Sequence, residues 1–212
     1  MIKFLMKFFR KTDIYSGLNL YSLGRFSYLK LVDAANLIFR FTDRIRLFFY
    51  RSRVPIKLHL GCGDQRKDGY LNIDWRKTDA TDFVCNISSI PLKDDSVSVI
   101  ESYHVIEHLS ERQAISTLEN WYKMLDIGGK LVIECPNFDK AVKEYLDGNT
   151  NRIYNIFGYR RFSGDAHQFG YSFDRLREVL SYVGFSDIQN AIPTDYHIHE
   201  EPCLRVEAYK NQ

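Results

Sequence analysis

Several features are scarce or missing from this sequence, and each absence removes a class of protein. No stretch approaches the roughly 18 uninterrupted apolar residues that a membrane span needs, so no spanning helix is expected. The four cysteines (Cys62, Cys85, Cys135, Cys203) are scattered without C-x-x-C spacing. That argues against a zinc ribbon or a disulfide framework, and for reduced thiols in the cytoplasm. The segment MIKFLMKFFRK is basic and apolar but has neither a long apolar core nor a small-residue cleavage site, so it does not read as a signal peptide. No phosphate loop of the form G-x-x-x-x-G-K-[ST] is present, and the G-x-G-x-x-G fingerprint fails because its third position is Arg66. ATP and NAD are therefore poor fits.

What is present is a globular chain with an uneven charge. Hydrophobic residues make up 45% and charged residues 26%, a balance that supports a core. Residues 1–56 hold eleven lysines and arginines against Asp13, Asp33 and Asp43. With the whole chain at only +2, the remainder is net acidic, so two chemically different segments meet near Pro55. The expected division is a basic, aromatic-rich helical extension over 1–54 and a single domain over 55–212.

Within 55–212, short apolar runs alternate with helical patterns. KLHL (57–60), YLNID (70–74), DFVC (82–85), VSVIES (97–102) and KLVIEC (130–135) read as strands, with DIQNAI and LRVEAYK closing the chain. SERQAISTLENWYKML opens with a capping box, Ser110 and Gln113, and repeats Ile115, Leu118, Tyr122 and Leu125 on one face, with Gly128-Gly129 as its stop. SFDRLREVLSYVGF offers a second helix, capped by Ser172. This alternation predicts a doubly wound α/β fold, its parallel sheet covered on both faces.

Such sheets bind ligands beyond the carboxyl ends of their strands. Gly61-Cys62-Gly63 follows the first strand directly, and Asp74 ends the second. Glycine permits close backbone approach to a ligand, and a carboxylate can accept both hydrogen bonds of a ribose diol. Singly, the glycines read equally as a tight turn and Asp74 as a helix cap; together they point to a nucleoside site. His104, Glu107 and His108 spell H-x-x-E-H, the inverted zinc-peptidase spacing, but the sequence nominates no third ligand and no metal site is expected.

In order, LHLGCG, YLNIDW, ISSIPLKDDSVSVIESYHVIEHL, LENWYKMLDIGGKLVIECPN and HQFGYSFDRLREVLSYVGF resemble the class I S-adenosylmethionine-dependent methyltransferases. The resemblance covers about 55–210 and is closest to the small bacterial type associated with cell-surface sugar and polysaccharide synthesis, in which HVIEH has a counterpart close to HVLEH. It implies a mostly parallel, seven-stranded, Rossmann-like sheet with the last strand antiparallel. Gly61, Cys62 and Gly63 would lie against the methionine end of the cofactor and Asp74 on its ribose. Asn86, where the family usually has an acid, would face the adenine amino group, with Ile87 beside the ring. Only nine residues separate the first two strands, so the first helix is expected to shrink to a turn or two, and Asp64 would approach the cofactor's ammonium group.

His104, nearest the strand end, would face the transferring methyl group or the acceptor. A neutral imidazole there could take a hydroxyl proton or merely brace the loop. His167, in GDAHQFGYSFD with Asp165 and Tyr171, is the alternative base. ECPN (134–137) lacks the N-P-P-Y type of sequence expected for methylation of an amino group. The expected reaction is thus methyl transfer from S-adenosylmethionine to a hydroxyl of a small-molecule or glycan acceptor. A non-catalytic interaction module and an RNA methyltransferase stand as alternatives. In LIFRFTDRIRLFFYRSR (37–53) a helix would bury Leu37, Ile38, Phe41, Ile45, Phe48 and Phe49 against the domain or a second copy of the chain. Alternatively, with its arginines, it would lie on an anionic membrane surface at the inner face. Nucleic acid is the weaker reading, since no recognition motif accompanies the charge.

Overall fold

The computed structural model describes residues 36–52, 54–161 and 164–211; the basic segment MIKFLMKFFRK lies outside them. Phe39–Gln212 forms one compact unit, which holds the sheet. Its strands are β1 (Ile56–Leu60), β2 (Leu71–Asp74), β3 (Phe83–Val84), β4 (Val97–Tyr103), β5 (Leu125–Pro136), β6 (Ser186–Ala191) and β7 (Cys203–Tyr209). They pair in the order β3-β2-β1-β4-β5-β7-β6. All neighbours are parallel except β7, which runs antiparallel to both β5 and β6. The strand order reverses between β1 and β4, and their carboxyl ends define the ligand edge. This is the fold expected from the sequence.

The helices are α1 (36–48), α2 (Glu111–Met124), α3 (Phe138–Leu146), α4 (Ile153–Phe157) and α5 (Phe173–Val183). α2 starts at the expected capping box, with Ser110 accepting from the Gln113 N–H. It stops at Met124, before Gly128-Gly129, because Leu125 already pairs with Val97 in the sheet. Its buried residues include Ala114, Leu118, Trp121 and Met124, so the core-facing stripe is rotated from the expected one. α5 buries Leu176, Val179 and Leu180 as expected and ends in a left-handed Gly184.

Between β1 and β2 the described chain makes only turns. Lys67 N–H and both Asn72 amide hydrogens are tied off locally, the Lys67 N–H to Asn72 Oδ1 at 2.8 Å. The expected short helix is absent because ten loop residues already complete this parallel crossover.

The two faces of the sheet differ. Leu58, Leu60, Ile100, Leu131, Ile133, Leu204 and Val206 form one face and join α2 and α5 in a single apolar core. The alternate positions read His59, Glu101, Tyr103, Glu134, Arg205 and Glu207, in register across β1, β4, β5 and β7. They are satisfied by one another and by loops: Glu101 accepts from Lys67, Tyr70 and Tyr103, while fully buried Glu134 accepts from Arg205 and from the Thr194 and Asp195 N–H groups. The central strands are therefore apolar on one side only, not on both.

α1 corrects the reading of the extension as well. Its buried side chains are Asn36, Asp43 and Leu47, whereas Leu37, Ile38, Phe41, Ile45, Phe48 and Phe49, the residues expected to be buried, are exposed. Asp43 accepts from the Val84 N–H at 2.9 Å, and Arg40 and Arg44 donate to the carbonyls of Trp75 and Ser89. The polar face docks on the domain and the apolar face points outward.

Candidate active site

A cleft of about 1560 Å³ opens at the ligand edge, and all nine residues nominated from the sequence line it: Gly61, Cys62, Gly63, Asp64, Asp74, Asn86, Ile87, His104 and His167. At one end, the Gly61 and Cys62 N–H groups bond to the Ile73 carbonyl and fold the loop over β2. Gly61 has φ +72°, and a Cβ added there would lie 2.1 Å from Val105 Cγ2. Gly63 has φ +53° but open space where its Cβ would be. The first glycine thus answers a packing demand, the second a cleft that a side chain would narrow.

Asp74 is buried and already employed. Its oxygens accept from the Gly63 N–H at 2.9 Å and the Arg76 N–H at 2.8 Å. A carboxylate has roughly four acceptor positions, so two remain for a ligand. Asn86 caps the short turn that begins at Ile87, its oxygen accepting from the Ser88 N–H at 3.0 Å. That use occupies one lone pair of the oxygen expected to face adenine. Cys62 is buried, and burial raises its thiol to about 11, so it lines the wall as an unreactive small side chain. Asp64 is exposed on the same wall. Trp75, with Arg40 5.4 Å above its ring, adds an aromatic surface that the sequence reading passed over.

The other end is rich in imidazoles and carboxylates. After β4 the chain does not enter a helix: His104 takes a left-handed conformation (φ +52°) and a three-residue turn, Ile106–His108, follows. His104 and His108 are consequently not stacked one helical turn apart. A non-glycine residue held at positive φ costs about 1–3 kcal/mol and marks sites where position matters. His104 Nδ1 lies 3.1 Å from Glu201 Oε1 and 3.4 Å from Glu107 Oε1, and its ring lies against His197 at a 36° tilt with centroids 3.8 Å apart. Burial alone would push the His104 pKa down, but the Cys203 thiol, Glu107 and Glu201 outweigh it and raise it to about 12. At neutral pH His104 is an imidazolium, a donor and not a ready base.

His167 differs. Its Nδ1 lies 2.9 Å from the Asn155 carbonyl, which can only accept, so Nδ1 carries the proton. Burial holds its pKa below the ordinary value. The neutral ring then keeps an Nε2 lone pair. The loop that carries it is stitched to the HVIEH turn, since the Gln168 and Phe169 N–H groups both bond to the Glu107 carbonyl. Of its expected partners, Asp165 is locked to Arg161 and Tyr171 is buried in the core.

The segment TDYHIHEEPC (194–203) was not singled out in the sequence, although two histidines and three acids within seven residues were a usable signal. Glu134, deep in the sheet, pins Thr194 and Asp195, and Asp195 in turn holds His197 Nδ1. A buried carboxylate on β5 thereby positions a wall of the cleft.

Residues 65–133, which run along this edge, match the methyltransferase-domain family. No curated protein matches the chain in sequence. Among solved structures, a methyltransferase of Thermotoga maritima described as a possible histamine N-methyltransferase is 14% identical, with 89% of this chain and 96% of that one covered at a TM-score of 0.52. An S-adenosylmethionine-dependent methyltransferase of Archaeoglobus fulgidus is 15% identical over 84% and 94% (TM-score 0.50). One of Methanosarcina mazei is 14% identical over 76% and 94% (TM-score 0.52). At these identities the likeness is one of fold. With the methyltransferase segment lying along the cleft of that fold, the chain is an enzyme that draws methyl groups from S-adenosylmethionine.

Proposed function

We propose that the acceptor is a hydroxyl group on a sugar or glycan intermediate, methylated at the histidine-rich end of the cleft. The observation that carries this reading is the lining there. Tyr154 and Tyr159 stack with rings 4.9 Å apart and 2° from parallel, beside Asn149, Asn151, Arg152 and Asn155. Flat aromatic faces with clustered amide and guanidinium groups match the apolar C–H face and hydroxyl rim of a pyranose. The cleft also exceeds the roughly 300–1,000 Å³ of an ordinary ligand pocket, which leaves room for cofactor and acceptor together. Asn137, in the ECPN segment, caps α3 by accepting from the Lys140 N–H, so it is committed to the helix and not offered to an amine.

The sulfonium supplies an electrophilic methyl group, and the protein aligns acceptor oxygen, carbon and sulfur. Transfer of that methyl group to an acceptor hydroxyl would release a proton, which this end of the cleft must take up or conduct away. Cationic His104, its Nδ1 held by Glu201 and its Nε2 3.8 Å from the Cys203 thiol, sets a fixed positive charge beside the acceptor oxygen. The proton departs on the side of Glu107, His108 and His167, where unpaired acceptor atoms converge.

The test is incubation with methyl-labelled S-adenosylmethionine and nucleotide-linked sugars, lipid-linked sugars, small amines or RNA. Label in an O-methyl sugar is the expected outcome. Label only in an amine or in RNA overturns the acceptor assignment, and cofactor binding without any transfer favours an interaction module.

The outward apolar face of α1 supports peripheral attachment to a membrane, where lipid-linked sugars reside. No helix among the described residues is long and apolar enough to cross one. Phe41, Ile45 and Phe48 recur at the i, i+4, i+7 spacing of one helical face, and all are exposed. Co-flotation of the full chain with anionic vesicles, lost in a Phe41→Glu/Phe48→Glu variant, is the expected result. Equal flotation of both proteins rejects this role for α1.

A further inference from the structure

The histidine-rich end contains one group of side chains that the methyl-transfer account leaves unexplained. Glu107 is buried, and neither of its carboxylate oxygens makes a hydrogen bond. His104 Nδ1 pairs with Oε1 only at 3.4 Å and is closer to Glu201. The His104 cation offsets part of the charge, but a buried carboxylate whose oxygens accept no hydrogen bond still calls for a partner. Two imidazoles face it. His108 Nδ1 lies 3.2 Å from the Ala166 carbonyl and His167 Nδ1 lies 2.9 Å from the Asn155 carbonyl. Both carbonyls require a donor, which fixes the proton on Nδ1 of each ring and leaves each Nε2 as a lone pair. Backbone carbonyls on the far nitrogen are the usual support of a metal-ligating histidine. The rings meet edge to face with centroids 5.0 Å apart, and the ligand atoms of Glu107, His108 and His167 lie within 4.8 Å of one another.

We infer that Glu107, His108 and His167 form a binding site for one divalent transition-metal ion, open toward the acceptor end of the cleft. Two imidazoles and a carboxylate are a borderline donor set suited to zinc or cobalt, with a position left for a fourth ligand. Zinc bonds of about 2.0–2.1 Å would draw the three atoms in from their present spacing. Two neighbouring groups, His104 with Asp195 and His197, and His104 with Glu201 and Cys203, also converge. Their atoms are already paired with one another, His104 to Glu201 and His197 to Asp195. Only the Glu107 group presents acceptors with nothing to accept. It uses two of the three residues of H-x-x-E-H, together with a histidine some sixty positions on that no local spacing could nominate.

The existence of the site does not depend on which acceptor is methylated; its use does. On the hydroxyl reading, an acceptor oxygen bound to the cation loses its proton near neutral pH, as zinc-bound water does at about pH 7. The proton passes to solvent in the cleft, and the resulting oxygen anion attacks the methyl carbon without a side-chain base.

The test uses the purified full chain, stripped with chelator and titrated with Zn²⁺ and Co²⁺. One equivalent of either is expected to bind. Glu107→Gln and His167→Ala should each weaken binding by at least the tenfold to hundredfold that loss of an outer-shell partner costs. His197→Ala should bind as the wild type does. Circular dichroism and titration with S-adenosylhomocysteine establish that the variants are folded. Zinc-edge absorption spectroscopy on the wild type covers the case in which they are not, with nitrogen and oxygen ligands and no sulfur expected. No stoichiometric metal in the wild type, a sulfur ligand, or binding lost in His197→Ala and kept in His167→Ala overturns the assignment. Metal content is read without any acceptor, so a negative result leaves the acceptor screen to stand or fall by itself.

Discussion

Replacing Gly61 with alanine separates the packing role of the glycine loop from its ligand role. A methyl group at Gly61 would sit 2.1 Å from Val105 Cγ2, far inside van der Waals contact, and the backbone there has φ +72°. Left-handed backbone costs an alanine about 1–2 kcal/mol. Forcing a methyl into filled space typically costs a further 1–3 kcal/mol or so. The single variant should therefore lose about 2–5 kcal/mol of stability. Val105→Ala removes both γ-methyls and leaves Cβ at 3.5 Å, an ordinary contact. Val105 is only partly buried, so that change alone should be mild. The double variant should recover the steric part and keep the backbone part, giving a favourable coupling of about 1–3 kcal/mol in a double-mutant cycle. Urea unfolding of the four proteins measures it. A Gly61→Ala cost below about 0.5 kcal/mol, the scale of an ordinary surface substitution, would refute the packing argument, as would simple additivity.

Asp74→Ala removes the acceptor for two backbone N–H groups as well as a ligand contact, so S-adenosylhomocysteine should bind at least about tenfold more weakly by calorimetry; an unchanged affinity would remove Asp74 from the cofactor site. Asn86→Asp keeps a capping acceptor and adds a negative charge toward the adenine amino group, so cofactor affinity should rise severalfold; a fall would place Asn86 elsewhere. Burial pushes the Glu101 carboxyl up, but hydrogen bonds from Lys67, Tyr103 and Tyr70 outweigh it and hold the pKa below the ordinary value. A depressed carboxylate contributes stability that is full above its unfolded pKa, about 4.3, and is lost as pH falls through the folded value. Urea midpoints should accordingly fall below about pH 4, less steeply in Glu101→Gln; identical acid limbs would show that the network does not couple to folding.

The order of elements was legible because each carries a local signal: the capping box of Ser110 and Gln113, the apolar run KLVIEC, and the left-handed glycine after α5. That the glycine loop and the acid meet at one end of the cleft was legible for the same reason, since they sit at successive strand ends. What stayed hidden depends on contacts remote in sequence. That α1 turns Phe41 and Phe48 outward follows from the Val84 N–H needing Asp43, and from the Trp75 and Ser89 carbonyls accepting Arg40 and Arg44. The polar sheet face could not be told from an apolar one without knowing that His59, Glu101, Glu134 and Arg205 fall on the same side. The spacing H-x-x-E-H implied a helix, and the positive φ of His104 broke it. His104 read as an ordinary imidazole until Glu201, nearly a hundred residues away, came to lie 3.1 Å from it.

Calorimetric titration of S-adenosylhomocysteine into the purified chain tests most directly whether this cleft binds S-adenosylmethionine. One site per chain with micromolar affinity is expected. Absence of binding to protein shown to be folded would contradict it.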